Sequence, residues 1–252
     1  MKYKSFSPEL WDRLSQAIEK ELSISQETGL PPIAAFDADG TLWDADLGES
    51  FFQWQIESKM LVNLPEDPWK FYRQWKDSGD PRPAYLWLAQ INQNFSLEQV
   101  RDWAEQAVVG RRVMPIFEDQ QKLISILLEN CVQVFVVTAS VKWAVEPGAR
   151  RLGLSNGNVI GVQTKIENGL ITDEQDGAMT YREGKVQALL EKTNGRVPFL
   201  ACGNTMGDWA LLKSASQLGL AVGAARPEHE LFATEEKLRQ EAKLFGWSIH
   251  QF

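Results

Sequence analysis

The sequence predicts an α/β protein: a Rossmann-like, doubly wound parallel sheet with an inserted all-helical cap domain. Three observations carry this reading. Ile33–Phe36, Val132–Val137, Val197–Ala201 and Leu218–Val222 are short apolar runs without polar alternation, as strands buried on both faces require. They alternate with segments of helical period, the pattern of a parallel sheet crossed by helices. From Asp44 to about Arg112 there is no strand pattern, only helical pieces broken at Asn63-Leu64-Pro65 and Gly79-Asp80-Pro81-Arg82-Pro83.

The elements follow in order. Leu10, Leu14 and Ile18 stripe a helix predicted from Pro8 to Leu22, which leads to the strand Ile33–Phe36. The insert reads as helices over Ser50–Leu61, Pro68–Asp77, Ala84–Asn92 and Ser96–Val108, the last opened by a Ser96/Gln99 capping box. A helix from Pro115 to about Glu129 and the strand Val132–Val137 resume the core. Val141–Leu152 has helical pattern, although Pro147 threatens a break, and Asn158–Val162 is a strand. Asn168-Gly169 turns a hairpin over Thr164–Thr172. Lys185–Lys192 and Met206–Lys213 are helices around the strand Val197–Ala201, and Leu218–Val222 is the last strand. The division expected is a core of residues 1–43 and 113–252 and a helical cap of residues 44–112.

Composition narrows the function. The 252 residues are 44% hydrophobic and 24% charged, ordinary for a globular protein. A net charge of −8 with no basic tract argues against nucleic acid as a partner. No segment is apolar for long enough to span a membrane, and the start lacks the apolar stretch of a signal peptide. Cys131 and Cys202 lie in apolar runs and read as buried thiols in a reducing compartment. The cytoplasm is the expected location.

Four segments carry chemistry. Ile33–Phe36 ends in Asp37-Ala38-Asp39-Gly40, where a strand of such a sheet reaches its ligand crevice. Carboxylates at i and i+2 of a strand share a side and repel, so a bound cation is their natural partner. The second run ends in Thr138-Ala139-Ser140, where a hydroxyl beside helix N–H groups suits a phosphate oxygen and equally suits an N-cap. Lys185 opens a helix after Gly184; a cation there opposes the helix dipole, so a neighbouring anion would explain it. Cys202-Gly203-Asn204-Thr205-Met206-Gly207-Asp208 again follows a buried strand, and Asn204 and Asp208 offer the oxygens Mg²⁺ prefers.

In this order the segments resemble those of the haloacid dehalogenase superfamily of hydrolases, over about residues 33–222. The insert after the first motif and the hairpin resemble its phosphoserine-phosphatase-like branch. The resemblance implies that Asp37 is a nucleophile forming an aspartyl-phosphate and that Asp39 is the general acid, then base. It implies that Thr138, Ala139 and Lys185 hold phosphate, with Asp37, Asp39, Asn204 and Asp208 around Mg²⁺. Asp39 separates reactions, because dehalogenating members do not need that acid. One position departs: the family commonly has Gly-Asp where this chain has Gly203-Asn204, which removes a negative charge. On that count Asn204→Asp is expected to tighten Mg²⁺ binding.

The expected function is hydrolysis of a small phosphorylated metabolite. The alternatives are phosphoryl transfer to another alcohol on the same fold, and a catalytically silent binding protein. In the insert Glu49 is a candidate contact to a substrate amine or hydroxyl, although a helix N-terminus favours an acid in any case. Arg82, Arg111 and Arg112 are candidates for a substrate carboxylate, as a phosphoserine-like ligand needs. Trp54, Trp69, Trp75, Trp87 and Trp103, with Phe51, Phe52, Phe71, Tyr72, Tyr85 and Phe95, mostly pack the insert. Some can meet a cationic head group, which makes phosphocholine and phosphoethanolamine candidate substrates. The sequence leaves the oligomeric state open.

Overall fold

The computed structural model describes residues 3–111 and 114–252, with the side chain of Arg111 also left out. Six strands, β1 (Ile33–Phe36), β2 (Gln133–Val141), β3 (Val159–Val162), β6 (Leu200–Gly203), β7 (Leu218–Ala221) and β8 (Ser248–Ile249), form a parallel sheet in the order β3-β2-β1-β6-β7-β8. A separate antiparallel hairpin joins β4 (Thr164–Glu167) to β5 (Leu170–Gln175).

Alternate residues of β1 explain why both faces of the sheet are covered. Ala34 and Phe36 pack with Leu14 and Ile18 of α1 (Pro8–Thr28) and with Leu123 and Leu127 of α6 (Glu118–Glu129). Ile33 and Ala35 pack on the opposite face with Leu189 of α8 (Glu183–Lys192) and Leu211 of α9 (Trp209–Ser214). A strand buried twice over has no place for polar alternation, which is why these runs are apolar throughout.

Between β1 and α6 lie four helices: α2 (Leu47–Glu57), α3 (Pro68–Lys76), α4 (Arg82–Gln90) and α5 (Leu97–Arg111). Their aromatic core, with Phe52, Tyr72 and Trp103 buried, continues into Trp143 of α7 (Lys142–Arg151) and Ile171 of β5. The hairpin is stitched to this layer by backbone bonds, Asn94 N–H to Ile171 O and Ile171 N–H to Phe95 O, both 2.9 Å. Asn168 and Gly169 take φ of 51° and 81°, as a two-residue hairpin turn demands.

Several expectations are corrected. Met206–Asp208 is a 3-10 turn, and α9 starts only at Trp209. Cys131 is exposed at the turn before β2, with φ of 59°, while Cys202 is buried. The helix α10 (Phe232–Phe245) and the two-residue β8 were not anticipated. The N-cap of α10 is Leu231, which makes no side-chain capping bond, so the usual start signal is missing. Pro147 lies inside α7, which continues through it to Arg151. Thr138 is not beside a helix start, because β2 runs on to Val141. Four steps along β2, Val137 to Val141, face two along β3, Ile160 to Val162, and this slip bulges residues 138–140 out of the ladder.

Candidate active site

The carboxyl ends of β1, β2 and β6, with the first turn of α8, converge on one buried cluster. Lys185 Nζ lies 2.5 Å from both Asp37 Oδ1 and Asp208 Oδ1. Thr41 donates its hydroxyl to Asp37 Oδ2 at 2.9 Å. Asp208 Oδ2 accepts from the main-chain N–H groups of Asn204 (3.2 Å) and Thr205 (3.0 Å), which fixes that carboxylate to its own turn. The anions that account for a lysine at the start of α8 are therefore Asp37 and Asp208.

Asp39 stands at the rim of this cluster. Its Oδ1 accepts from Trp43 Nε1 at 2.8 Å and from Leu47 N–H at 2.9 Å, and its Oδ2 accepts from Ser140 Oγ at 2.7 Å. The bulge of β2 is what brings Ser140 there. Trp43 and Ser140 were not assigned to Asp39 from sequence: their contacts arise from a turn and a strand irregularity with no composition signal. Thr138 is buried, and its Oγ1 accepts from Ser140 N–H at 3.1 Å.

Charge in the cluster is unbalanced, with three carboxylates against one ammonium. Burial, then the Asp208 charge, pushes Asp37 up to about 7, while Lys185 works in the opposite direction. Burial likewise raises Asp39, against the three hydrogen bonds that favour its anion. Burial pulls Lys185 down, but the charges of Asp208 and Asp37 more than reverse this and raise it. A hard cation fits such a site. Asp37, Asp208 and the amide oxygen of Asn204 are oxygen donors grouped around Thr41 and Lys185. Among the described residues no group of three or more His, Cys, Asp or Glu side chains is placed to hold a metal ion by itself. Mg²⁺ needs none, since it keeps waters and takes phosphate oxygens. The Asp39 side chain, also expected among the metal ligands, has its oxygens engaged by Trp43, Leu47 and Ser140, just as those of Asp37 and Asp208 are engaged by Lys185, Thr41 and the turn at 204–205.

The cluster opens into a cavity of about 1140 Å³ lined by Asp37, Asp39, Thr138, Ala139, Lys185, Asn204 and Asp208 below and by Asp46, Glu49, Tyr72, Lys76 and Tyr85 from the insert. Glu49 Oε1 accepts from Lys76 Nζ at 2.5 Å and from Tyr72 OH at 3.2 Å. Asp46 is pushed well up by burial and by the charges of Asp39 and Glu49. Arg73 of α3 reaches Glu230, after β7, at 2.8 Å and ties the insert to the sheet domain. Arg82 does not line the cavity; it is exposed and clamps Asp80 at 2.7 Å. The side chain of Arg111, and Arg112 altogether, lie outside the described residues.

A parallel sheet whose carboxyl edge gathers carboxylates, a lysine and hydroxyls beneath a helical roof defines a Rossmann-like α/β protein with a buried carboxylate–lysine cluster at its strand ends. The profile of the haloacid dehalogenase-like hydrolase family matches residues 34–213, and the chain belongs to that family. It is 24% identical to phosphorylcholine phosphatase of Pseudomonas aeruginosa, a match covering 60% of this chain and 54% of that protein, so it spans about half the relative's length. Its fold is similar to a protein of unknown function from Bordetella pertussis Tohama I, with 18% identity, a TM-score of 0.70 and coverage of 87% of this chain and 98% of that one. It is also similar to phosphoserine phosphatase solved as a phospho-aspartyl intermediate analogue, with 14% identity, a TM-score of 0.52 and coverage of 88% and 93%. Among the described residues no helix is long and apolar enough to cross a membrane.

Proposed function

We propose that the chain is a Mg²⁺-dependent phosphatase of a small phosphomonoester that works through an aspartyl-phosphate on Asp37. The observation that carries this reading is the Asp37–Lys185–Asp208 cluster, with Asp39 at its rim, at the floor of one cavity. A dianionic phosphate repels a carboxylate nucleophile. Lys185 offsets part of that repulsion and holds Asp37 Oδ1, while Thr41 holds Oδ2, so the attacking oxygen is oriented. Asp37, Asp208 and the Asn204 amide oxygen would hold Mg²⁺, whose charge, when bound, would neutralise the phosphate further. Thr138 and Ala139, at the bulge, line the cavity and suit the phosphate oxygens. Asp39, raised by burial, is suited to deliver a proton to the leaving alkoxide and to recover one from water.

The far wall speaks for a substrate with a cationic head. Tyr72, Tyr85 and Tyr181 bring the rings that carry this argument, beside the acids Asp46, which burial raises, and Glu49, which is paired to Lys76. Arg82, expected to hold a substrate carboxylate, is spent on Asp80. Phosphocholine and phosphoethanolamine are therefore candidate substrates beside phosphoserine. Phosphate release from these three and from an aryl phosphate, with and without Mg²⁺, tests the proposal; no release from any of them with Mg²⁺ present overturns it.

Asp39→Asn is expected to slow alkyl phosphates by roughly a hundred-fold or more and an activated aryl phosphate much less, since only the former needs the proton. The sign of the pH effect follows. The acid must be protonated, so the alkyl rate of the unaltered protein falls as pH rises through the raised Asp39 value, and the variant lacks that limb. Equal losses on both substrate types would show that Asp39 acts otherwise.

Glu49→Gln is expected to change the ranking of phosphomonoesters more than the aryl phosphate rate, because Glu49 touches Tyr72 and Lys76 and none of the reacting groups. Measuring kcat/KM across the panel checks this, and a uniform drop would contradict it.

A further inference from the structure

We propose that Glu235 is a positioning residue: it fixes the Asn204 amide so that its oxygen, not its nitrogen, faces the metal side. The inference rests on the Mg²⁺-dependent reading of the site. It also accounts for an asparagine where the family commonly has aspartate.

An amide presents two ends of nearly the same shape, and only the oxygen can ligate a hard cation. Asn204 is buried and cannot use solvent to choose between its ends. Glu235, on α10, is equally buried, with Oε1 at 3.2 Å from Asn204 Nδ2. A carboxylate only accepts, so it takes the NH₂ end and turns Oδ1 towards Thr41, 3.3 Å away, and hence towards Asp37. Glu235 is itself held, with Oε2 accepting from Ala225 N–H at 3.0 Å and Arg239 3.7 Å away. The pair sits between two glycines that leave it room. A Cβ on Gly40 would fall 2.2 Å from Asn204 Nδ2, and one on Gly223 would fall 2.4 Å from Glu235 Oε2. The negative charge missing at position 204 is thus supplied one layer further out. The sequence-based expectation for Asn204→Asp then changes: the new carboxylate would meet the Glu235 carboxylate in a buried place, which costs stability.

The experiment compares the unaltered protein, E235Q, N204D and the N204D/E235Q double variant. Mg²⁺ binding is measured by calorimetry with the metal alone, and thermal melting without divalent cations. In E235Q the new side chain keeps its oxygen on Ala225 N–H and offers NH₂ to Asn204, so the Asn204 amide reverses. Mg²⁺ binding is expected to weaken roughly ten-fold or more, the usual cost of losing a residue that orients a ligand. N204D is expected to melt lower than the unaltered protein. In the double variant the glutamine amide donates to the new carboxylate, and both melting temperature and Mg²⁺ affinity are expected to return to the unaltered level or better. Unchanged Mg²⁺ affinity in E235Q, or a double variant melting no higher than N204D, overturns the proposal. If the unaltered protein binds no Mg²⁺, the metal-dependent reading fails, and a double variant melting no higher than N204D still overturns the pairing by itself.

Discussion

Asp37→Asn is expected to lower turnover by roughly a thousand-fold or more while the protein stays folded. The substituted side chain has nearly the same shape but lacks the nucleophilic oxygen anion. Both contacts can be kept, because the amide oxygen accepts from Lys185 while its NH₂ donates to the Thr41 hydroxyl, whose proton can turn to Asn204 Oδ1. The substitution also removes a carboxylate whose charged form burial disfavours. The melting temperature should therefore change by only a few degrees. Phosphate release with a phosphomonoester the unaltered protein accepts, alongside a melting curve, checks both halves. A beryllium fluoride adduct on Asp37 of the unaltered protein, absent from the variant, is the direct mark of a covalent step. Retention of more than a few per cent of activity would remove Asp37 from the chemistry.

Lys185→Met is expected to have the largest effect on stability. The ammonium is 3% exposed and bridges two carboxylates at 2.5 Å each. Without it Asp37 and Asp208 face one another in the interior with no counter-charge. Breaking a buried pair in this way costs about 3–5 kcal/mol, and at about 2–4 °C per kcal/mol for a chain of this size the melting temperature falls on the order of 10 °C. The pH dependence has a definite sign. Asp37 already sits near 7 with Lys185 present, and losing the cation raises it further. The variant is therefore destabilised more at pH 8 than at pH 5, because the unfolded chain releases the Asp37 proton readily while the folded one resists, a cost that grows as pH rises towards the raised folded value. Added Mg²⁺ should recover part of the loss at pH 8. Calorimetric melting at the two pH values, with and without Mg²⁺, decides it; a pH-independent change of a degree or two would mean that the bridge carries little weight.

What was legible in the sequence rested on short-range pattern. The strands that carry the site are apolar on both faces because helices cover both, and four residues are enough to show it. Asp37, Asp39, Lys185 and Asp208 were legible because each follows a strand or opens a helix, and a parallel sheet delivers those positions to one edge. The Asn168-Gly169 turn was legible because few other pairs tolerate its backbone.

Tertiary structure alone decided the rest. Ser140 reaches Asp39 only because β2 slips against β3, a mismatch between two strands that neither shows by itself. Arg82 is an exception of a local kind, since Asp80, only two residues away, holds it. Cys131 sits in an apolar run yet is exposed, since a turn with positive φ places it outside the sheet. Glu235 belongs to a helix without an N-terminal capping signal, and its partner Asn204 lies 31 positions earlier. The sequence by itself determined which groups the sheet gathers at one edge, because fold periodicity and motif spacing are local. Which groups orient them was settled by packing between distant segments, where burial leaves each polar atom dependent on whatever partner the fold brings near.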